Sequence, residues 1–460
     1  MTIGTKNANN PRKCKQPIDE KSALLLENQS LGEHAGQEIN GASFIGAVFN
    51  LSTTIIGAGI MSLPATMKVL GLGLGVAMII FVAILTEASV EMLLRFSRVG
   101  KSVTYGGVVG DSFGKVGRVL FQLCILVNNV GILVVYMIII GDVLSGSSSN
   151  GVHHFGVLEG WFGEHWWNGR AFVLFVTTIA VFAPLACLKR IDSLKYTSTL
   201  AVALAVVFLV ITAGIAIVKL FNGSIDMPRF FPKVTDLTSV WKLFTVVPVL
   251  VTAFICHFNV HSIDNELEDI SLIQPVVRTS LALCSAVYIM TSFFGFLLFG
   301  DSTLDDVLAN FDTNLGIPYS SLLNDAVRIS YALHLILVFP IIFYPLRLNI
   351  DDLLFPSARP LVSDNLRFSL ISIILISLTF LGAIFIPSIW DVFQFTGATA
   401  TVCIAYIFPA SIALKDPHGI ATKKDKILSI FMIGLAVFSN LLAIYSNANA
   451  LLVKNAIPNA

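Results

Sequence analysis

The chain has 460 residues, 55% of them hydrophobic and only 13% charged, with 29 Lys and Arg balanced by 29 Asp and Glu. A soluble globular protein carries about 25% charged residues, and even its core helices need a polar face, so this composition excludes a water-soluble enzyme. Zero formal charge offers no basic surface, and no nucleic-acid partner is expected.

Residues 1–41 are polar and have no apolar h-region, so they read as a disordered cytosolic tail rather than a cleaved signal peptide. Beyond them, hydropathy in a window of about 19 residues predicts membrane helices near 43–69, 72–94, 118–143, 170–187, 197–218, 241–262, 277–299, 324–346, 367–387, 391–414 and 427–451. Residues 42–94 form one nearly continuous apolar block, far longer than the roughly 20 residues that cross a bilayer once, so two spans are read there. The lengths are those of helices, not of barrel strands. With the N-terminus in the cytosol, 21 Lys and Arg fall on the cytosolic side and 7 on the other, with Arg328 inside a span. This positive-inside bias leaves 452–460 as a non-cytosolic tail.

The first span reads Asn50-Leu-Ser-Thr-Thr-Ile-Ile-Gly57-Ala58-Gly59-Ile-Met-Ser-Leu-Pro64. Gly57 and Gly59 weaken the helix at mid-membrane and Pro64 removes a donor. Unwinding there would free backbone amides for a carboxylate, whereas an intact helix would use the glycines for close packing. In the second span, Glu87 and Glu91 share a face near the cytosolic end, either as a proton relay or as a solvated mouth with Arg95 as counterion. Asn128 and Asn129 in the third span need polar partners, in a pore or between helices. Trp161, Trp166 and Trp167 read as interfacial anchors before the fourth span. Asn222-Gly223-Ser224 is a glycosylation sequon a few residues from the fifth span, where modification is expected to be inefficient.

The sixth span runs Pro248 … Phe254-Ile-Cys256-His257-Phe258-Asn259-Val-His261 and is interrupted by a proline and three polar side chains. Spans one to five (about 43–218) and six to ten (about 241–414) then become two units, each opening on a disrupted helix. An odd number of crossings per unit inverts one against the other. The helix at 427–451 is left over. Asp264, Glu266, Glu268 and Asp269 read as a solvated inner loop, and Asp325 with Arg328 as an outer-end salt bridge. Cys14 lies in the tail, while Cys124, Cys187, Cys256, Cys284 and Cys403 lie in or beside spans. Their spacing suits neither a disulfide framework nor a metal site, and no cofactor is expected.

The stretch Phe49-Asn50-Leu-Ser-Thr-Thr-Ile-Ile-Gly57-Ala58-Gly59-Ile60, the polar tail before it and Phe254-Ile-Cys-His257-Phe-Asn resemble the amino acid/auxin permease family over about 42–450. The likeness is to the plant vacuolar exporters, relatives of the animal sodium-coupled neutral amino-acid transporters. It implies an all-α membrane protein of eleven helices with the inverted five-plus-five fold and discontinuous helices one and six. It also implies that Gly57, Ala58 and Gly59 hold a substrate carboxylate, with Phe254, Cys256 and His257 on the opposite wall. An ion site in the sodium-coupled relatives maps to Asn50 and Thr53, with Ser330 as the eighth-span hydroxyl. Span eight otherwise offers sodium little, which favours a proton, carried at His257 or Glu87. Glu20-Lys-Ser-Ala-Leu24-Leu25 resembles an acidic dileucine address read by clathrin adaptors.

These readings converge on a secondary transporter that exports amino acids from the vacuole with a proton. The alternatives are sodium-coupled uptake at the plasma membrane and a sensor that binds without transport. Paired broken helices argue against a channel, and the absence of a nucleophile–base pair argues against a membrane enzyme.

Overall fold

The computed structural model describes residues 43–456 apart from 150–151, 189–193, 313 and 387. The Glu20–Leu25 stretch and Cys14 lie outside the described residues. The fold is all-helical and polytopic, with one short two-stranded sheet among the described residues. Nine helical stretches are long and apolar enough to cross a membrane among the described residues, and Phe44–Ile55 and Arg170–Ala186 are shorter apolar helices.

Helix α1 (Phe44–Ile55) starts at Ser43, whose side chain accepts from the Gly46 amide, and ends at Ile56. Helix α2 (Gly59–Gly100) covers the ends of both spans expected at 43–69 and 72–94, and it bends at Gly71. Gly71 has φ +74°, and a Cβ there would come within 2.6 Å of the Phe231 backbone, so only glycine fits. The amides freed at this bend donate 3.0 Å bonds from Leu72 to the Arg229 carbonyl and from Gly73 to that of Phe230. Helix α3 (Tyr105–Ser145) is capped by Thr104 and bends at Gly114, so it begins well before the apolar part that hydropathy detects.

Strands β1 (Ser147–Ser149) and β2 (Val152–His154) pair antiparallel, followed by α4 (Val157–Phe162) and α5 (Arg170–Ala186). A π-turn at Thr178–Phe182 stands just ahead of Pro184, whose missing N–H disrupts the ladder. Helix α6 (Leu194–Phe221) precedes α7 (Leu237–Phe244), α8 (Val246–Ala253) and α9 (His257–Glu266). The remaining helices are α10 (Ile273–Phe299), α11 (Ser320–Leu354), α12 (Asn365–Phe385), α13 (Ile389–Lys415) and α14 (Lys423–Ala456).

Burial divides these helices into a centre and a lipid-facing shell. On α12, Leu370, Ile373, Ile374 and Leu378 are exposed, an apolar surface suited to hydrocarbon. The segments 51–60 and 245–261 are instead buried throughout. Helix α10 packs on α1 and α2, and α11 packs on α6 and α3, which surrounds those two segments.

At the end of the molecule near the two strands, Arg328 does not pair with Asp325. Its guanidinium donates to the carbonyls of Val143 (3.3 Å) and Phe155 (2.6 Å), and Asp325 accepts from Trp161 Nε1 at 2.8 Å. Trp161 is thus held by a carboxylate rather than serving only as an anchor. Asp306, in the loop before α11, accepts from the Leu308 amide at 2.9 Å. Burial pushes its carboxyl up to about 6, against the pull of the Leu308 bond and of Arg328. A carboxyl raised on folding binds more protons folded than unfolded. The local fold is therefore fully supported below the unfolded value of 3.8 and loses that support as pH rises through about 6. Protection factors across 304–312, taken from hydrogen exchange after dividing out its intrinsic pH dependence, should fall between those pH values in the wild type but not in Asp306→Asn; matching profiles would refute this.

Candidate functional site

Two helix breaks meet at the centre. The first lies at Ile56-Gly57-Ala58, between α1 and α2, and the second at Phe254-Ile255-Cys256, between α8 and α9. The sequence expects breaks near 57–59 and near 254–257, and the structure has them at 56–58 and 254–256. Gly57 lies within the break, and a Cβ on it would come within 2.4 Å of Tyr136 Oη. Gly59 starts α2 and makes the close contact, since its Cβ would fall 2.8 Å from Ala253 Cα. The first break is thereby pressed against the last residue before the second.

Carbonyls at the breaks are bound by side chains from neighbouring helices. Tyr288 on α10 directs its hydroxyl at both the Ile55 carbonyl (2.6 Å) and the Ala253 carbonyl (2.7 Å), bridging the two breaks. Tyr331 on α11 donates to the Gly57 carbonyl at 2.6 Å, and His334, one turn on, lies 3.1 Å from that of Ile56. The amides behave differently. Among the described residues, nothing accepts from the Gly57, Ala58 or Gly59 N–H groups. These amides stand at the N-terminus of α2, where unpaired donors and the helix dipole favour an anion.

Phe254 packs edge-on against Tyr288 with centroids 5.0 Å apart, and buried Cys256 stands at the start of α9 without a capping side-chain bond. His257 Nε2 lies 3.0 Å from Ser89 Oγ, and that hydroxyl donates to the Ala405 carbonyl. Ser89 must then accept from the ring, which assigns the proton to Nε2 and leaves Nδ1 as a buried acceptor with no partner. Asn259 donates to Thr54 Oγ1 at 2.9 Å, and Thr54 in turn donates to the Asn50 carbonyl at 3.0 Å, tying α9 to α1. The Asn50 side-chain oxygen is buried without a partner.

The residues considered for ion or proton coupling are not all brought together. Thr53 Oγ1 donates to the Ser198 carbonyl (3.2 Å) on the seam between α1 and α6, and Ser330 Oγ donates back to its own helix at Val327 (2.9 Å). Glu87 stands apart from the breaks in an ion pair with Arg278, 2.8 Å to Nε. Arg95 is not the local counterion expected, because its guanidinium reaches Asp425 on α14 at 2.8 Å. Asn128 binds Asn129 (2.9 Å) and accepts from Thr401 on α13 (2.6 Å), a bond between helices.

Sequence reasoning missed Tyr136, Tyr288, Tyr331 and His334, which surround the first break. A tyrosine hydroxyl centred in an apolar span must find a partner, and that signal was available at all three tyrosines.

Residues 40–452 match the family model described as transmembrane amino acid transporter protein. The chain is 70% identical to amino acid transporter AVT6A of Arabidopsis thaliana over 435 residues, 95% of each sequence. It is 25% identical to sodium-coupled neutral amino acid symporter 2 of Danio rerio, over 96% of this chain and 89% of that one. Among solved structures, a manganese transporter variant from Eremococcus coleocola aligns with a TM-score of 0.54 at 14% identity, over 91% of this chain and 89% of that one. That likeness concerns the fold alone.

Proposed function

Since the chain belongs to the transmembrane amino acid transporter family, whose members are transporters and not enzymes, we propose that it is a secondary transporter exporting amino acids from the vacuole to the cytosol with a proton. One observation carries the reading: two buried breaks held together by the Tyr288 hydroxyl, with the amides of Gly57, Ala58 and Gly59 free of acceptors. The carboxylate common to all amino acids docks on those amides. The ammonium meets the carbonyl ends of α1 and α8, and the side chain faces Phe254 and Cys256. Counting the two sides of Gly71 as separate crossings and Arg170–Ala186 as a short one gives eleven. The breaks then open crossings one and six, the arrangement of an inverted five-plus-five repeat. Alternating access follows from rocking the broken helices and their neighbours against the rest. The Glu20–Leu25 address supports vacuolar delivery through an adaptor.

The test is flux in proteoliposomes holding the full-length protein, with a panel of the twenty amino acids under imposed pH or sodium gradients. Accumulation driven by pH is expected. In Gly57→Leu, the added side chain lands on Tyr136 and covers the amides, and flux should fall to background with insertion intact. Undiminished flux in that variant would remove the site, accumulation driven by sodium alone would favour the uptake reading, and substrate binding without flux would favour a sensor.

A further inference from the structure

His334 sits on α11 with both ring nitrogens against backbone carbonyls: Nδ1 is 2.7 Å from the Ala201 carbonyl on α6, and Nε2 is 3.1 Å from the Ile56 carbonyl at the first break. A carbonyl oxygen only accepts, and a neutral imidazole carries one N–H and one lone pair. The neutral ring therefore sets a lone pair against a carbonyl lone pair, whichever tautomer it adopts. The imidazolium donates to both. Burial opposes the charge, and two aligned carbonyl dipoles favour it. No acidic or basic side chain among the described residues contacts the ring. The titratable group against the ring is Tyr331 on its own helix, with centroids 4.8 Å apart, and Tyr331 in turn feels Tyr136 from α3 and Asp306 from the loop before α11. Helices α6 and α1 meet the ring through the Ala201 carbonyl and the Ile56 carbonyl just past the end of α1.

The peptide geometry connects this proton to the substrate. The Ile56 carbonyl and the Gly57 amide belong to one planar trans peptide, so they point in opposite directions. The next peptide is held the same way, its Gly57 carbonyl on Tyr331 and its Ala58 amide turned away. Helix α11 thus grips the oxygen side of both peptides and presents their N–H groups to the opposite side, where the proposed carboxylate docks.

We infer that His334 is the proton-binding site coupled to amino-acid transport: protonated, it latches α6, α11 and the first break together and orients the Gly57 and Ala58 amides, and deprotonated, it releases the Ile56 peptide. This rests on the proton-linked reading above. Linkage requires that whatever stabilises the oriented amides also favours the proton, and the reverse.

The test uses full-length protein in liposomes and a pool of the twenty tritiated amino acids, comparing accumulation under a pH gradient with counterflow at equal pH. His334→Gln is expected to lose pH-driven accumulation by at least about tenfold, and the counterflow it retains should no longer vary between roughly pH 5 and 8. Where that variant also loses counterflow, His334→Lys, a fixed donor to both carbonyls, should restore it without pH response. Wild-type accumulation in His334→Gln, a retained pH profile, or loss of counterflow in both variants would overturn the proposal. Wild-type accumulation driven by sodium alone overturns it too, leaving transport intact, whereas absence of wild-type counterflow overturns the transport reading itself.

Discussion

Valine at Gly59 is expected to abolish most amino-acid flux while the protein still inserts and folds. The new Cβ would lie 2.8 Å from Ala253 Cα and 3.0 Å from its Cβ. The obstacle is main chain, which cannot rotate away as the Tyr136 hydroxyl facing Gly57 can. Overpacking of this kind costs about 1–3 kcal/mol. Falling on the arrangement in which the two breaks touch, that is about a ten- to hundredfold loss in rate. The check is counterflow of the tritiated pool at matched protein content, with Gly214→Val on α6 as control, because a Cβ at Gly214 meets no atom within 4 Å. Equal flux in both variants would show that the breaks need not touch.

Phenylalanine at Tyr288 should have a comparable effect by a different route. The ring keeps its packing on Phe254, but the carbonyls of Ile55 and Ala253 lose their shared donor. Each buried carbonyl left unsatisfied costs about 1–3 kcal/mol, unless the breaks separate and find other partners. Flux should therefore drop about tenfold or more, and the thermal midpoint should fall with it. A variant that moves the midpoint while leaving counterflow at wild-type level would assign Tyr288 to stability alone.

Much of this centre was legible in the sequence for one physical reason: helix breaks are local. Gly57 lies in the first break with Gly59 beside it, and the second break at 254–256 opens between Pro248, held in α8, and the three polar residues that begin α9. The groups that hold the breaks are not local. His334 is flanked by Leu333 and Leu335 and reads as a stray polar residue in an apolar run. Its partners are main-chain oxygens 278 and 133 positions away, and a carbonyl leaves no mark on a sequence. The counterions fail for the same reason. Arg95 lies one turn from Glu91 on the same helix, yet it binds Asp425 in the last helix, and Glu87 is claimed by Arg278 from α10. Proximity along a helix permits such pairs but does not choose among them. Helix lengths went astray where polar turns continue a helix beyond its apolar part, as at Tyr105–Gly114.

The bend at Gly71 bears on how movement at the centre reaches the surface. The exposed stretch around 229–231 is fastened to the elbow by two main-chain bonds, and Arg229 also reaches Asp301 and the Lys68 carbonyl. Tilting of the first crossing must therefore carry this strap along like a lever arm. A fluorophore at Phe231, which is 73% exposed, would report such tilting from the surface, away from the two breaks.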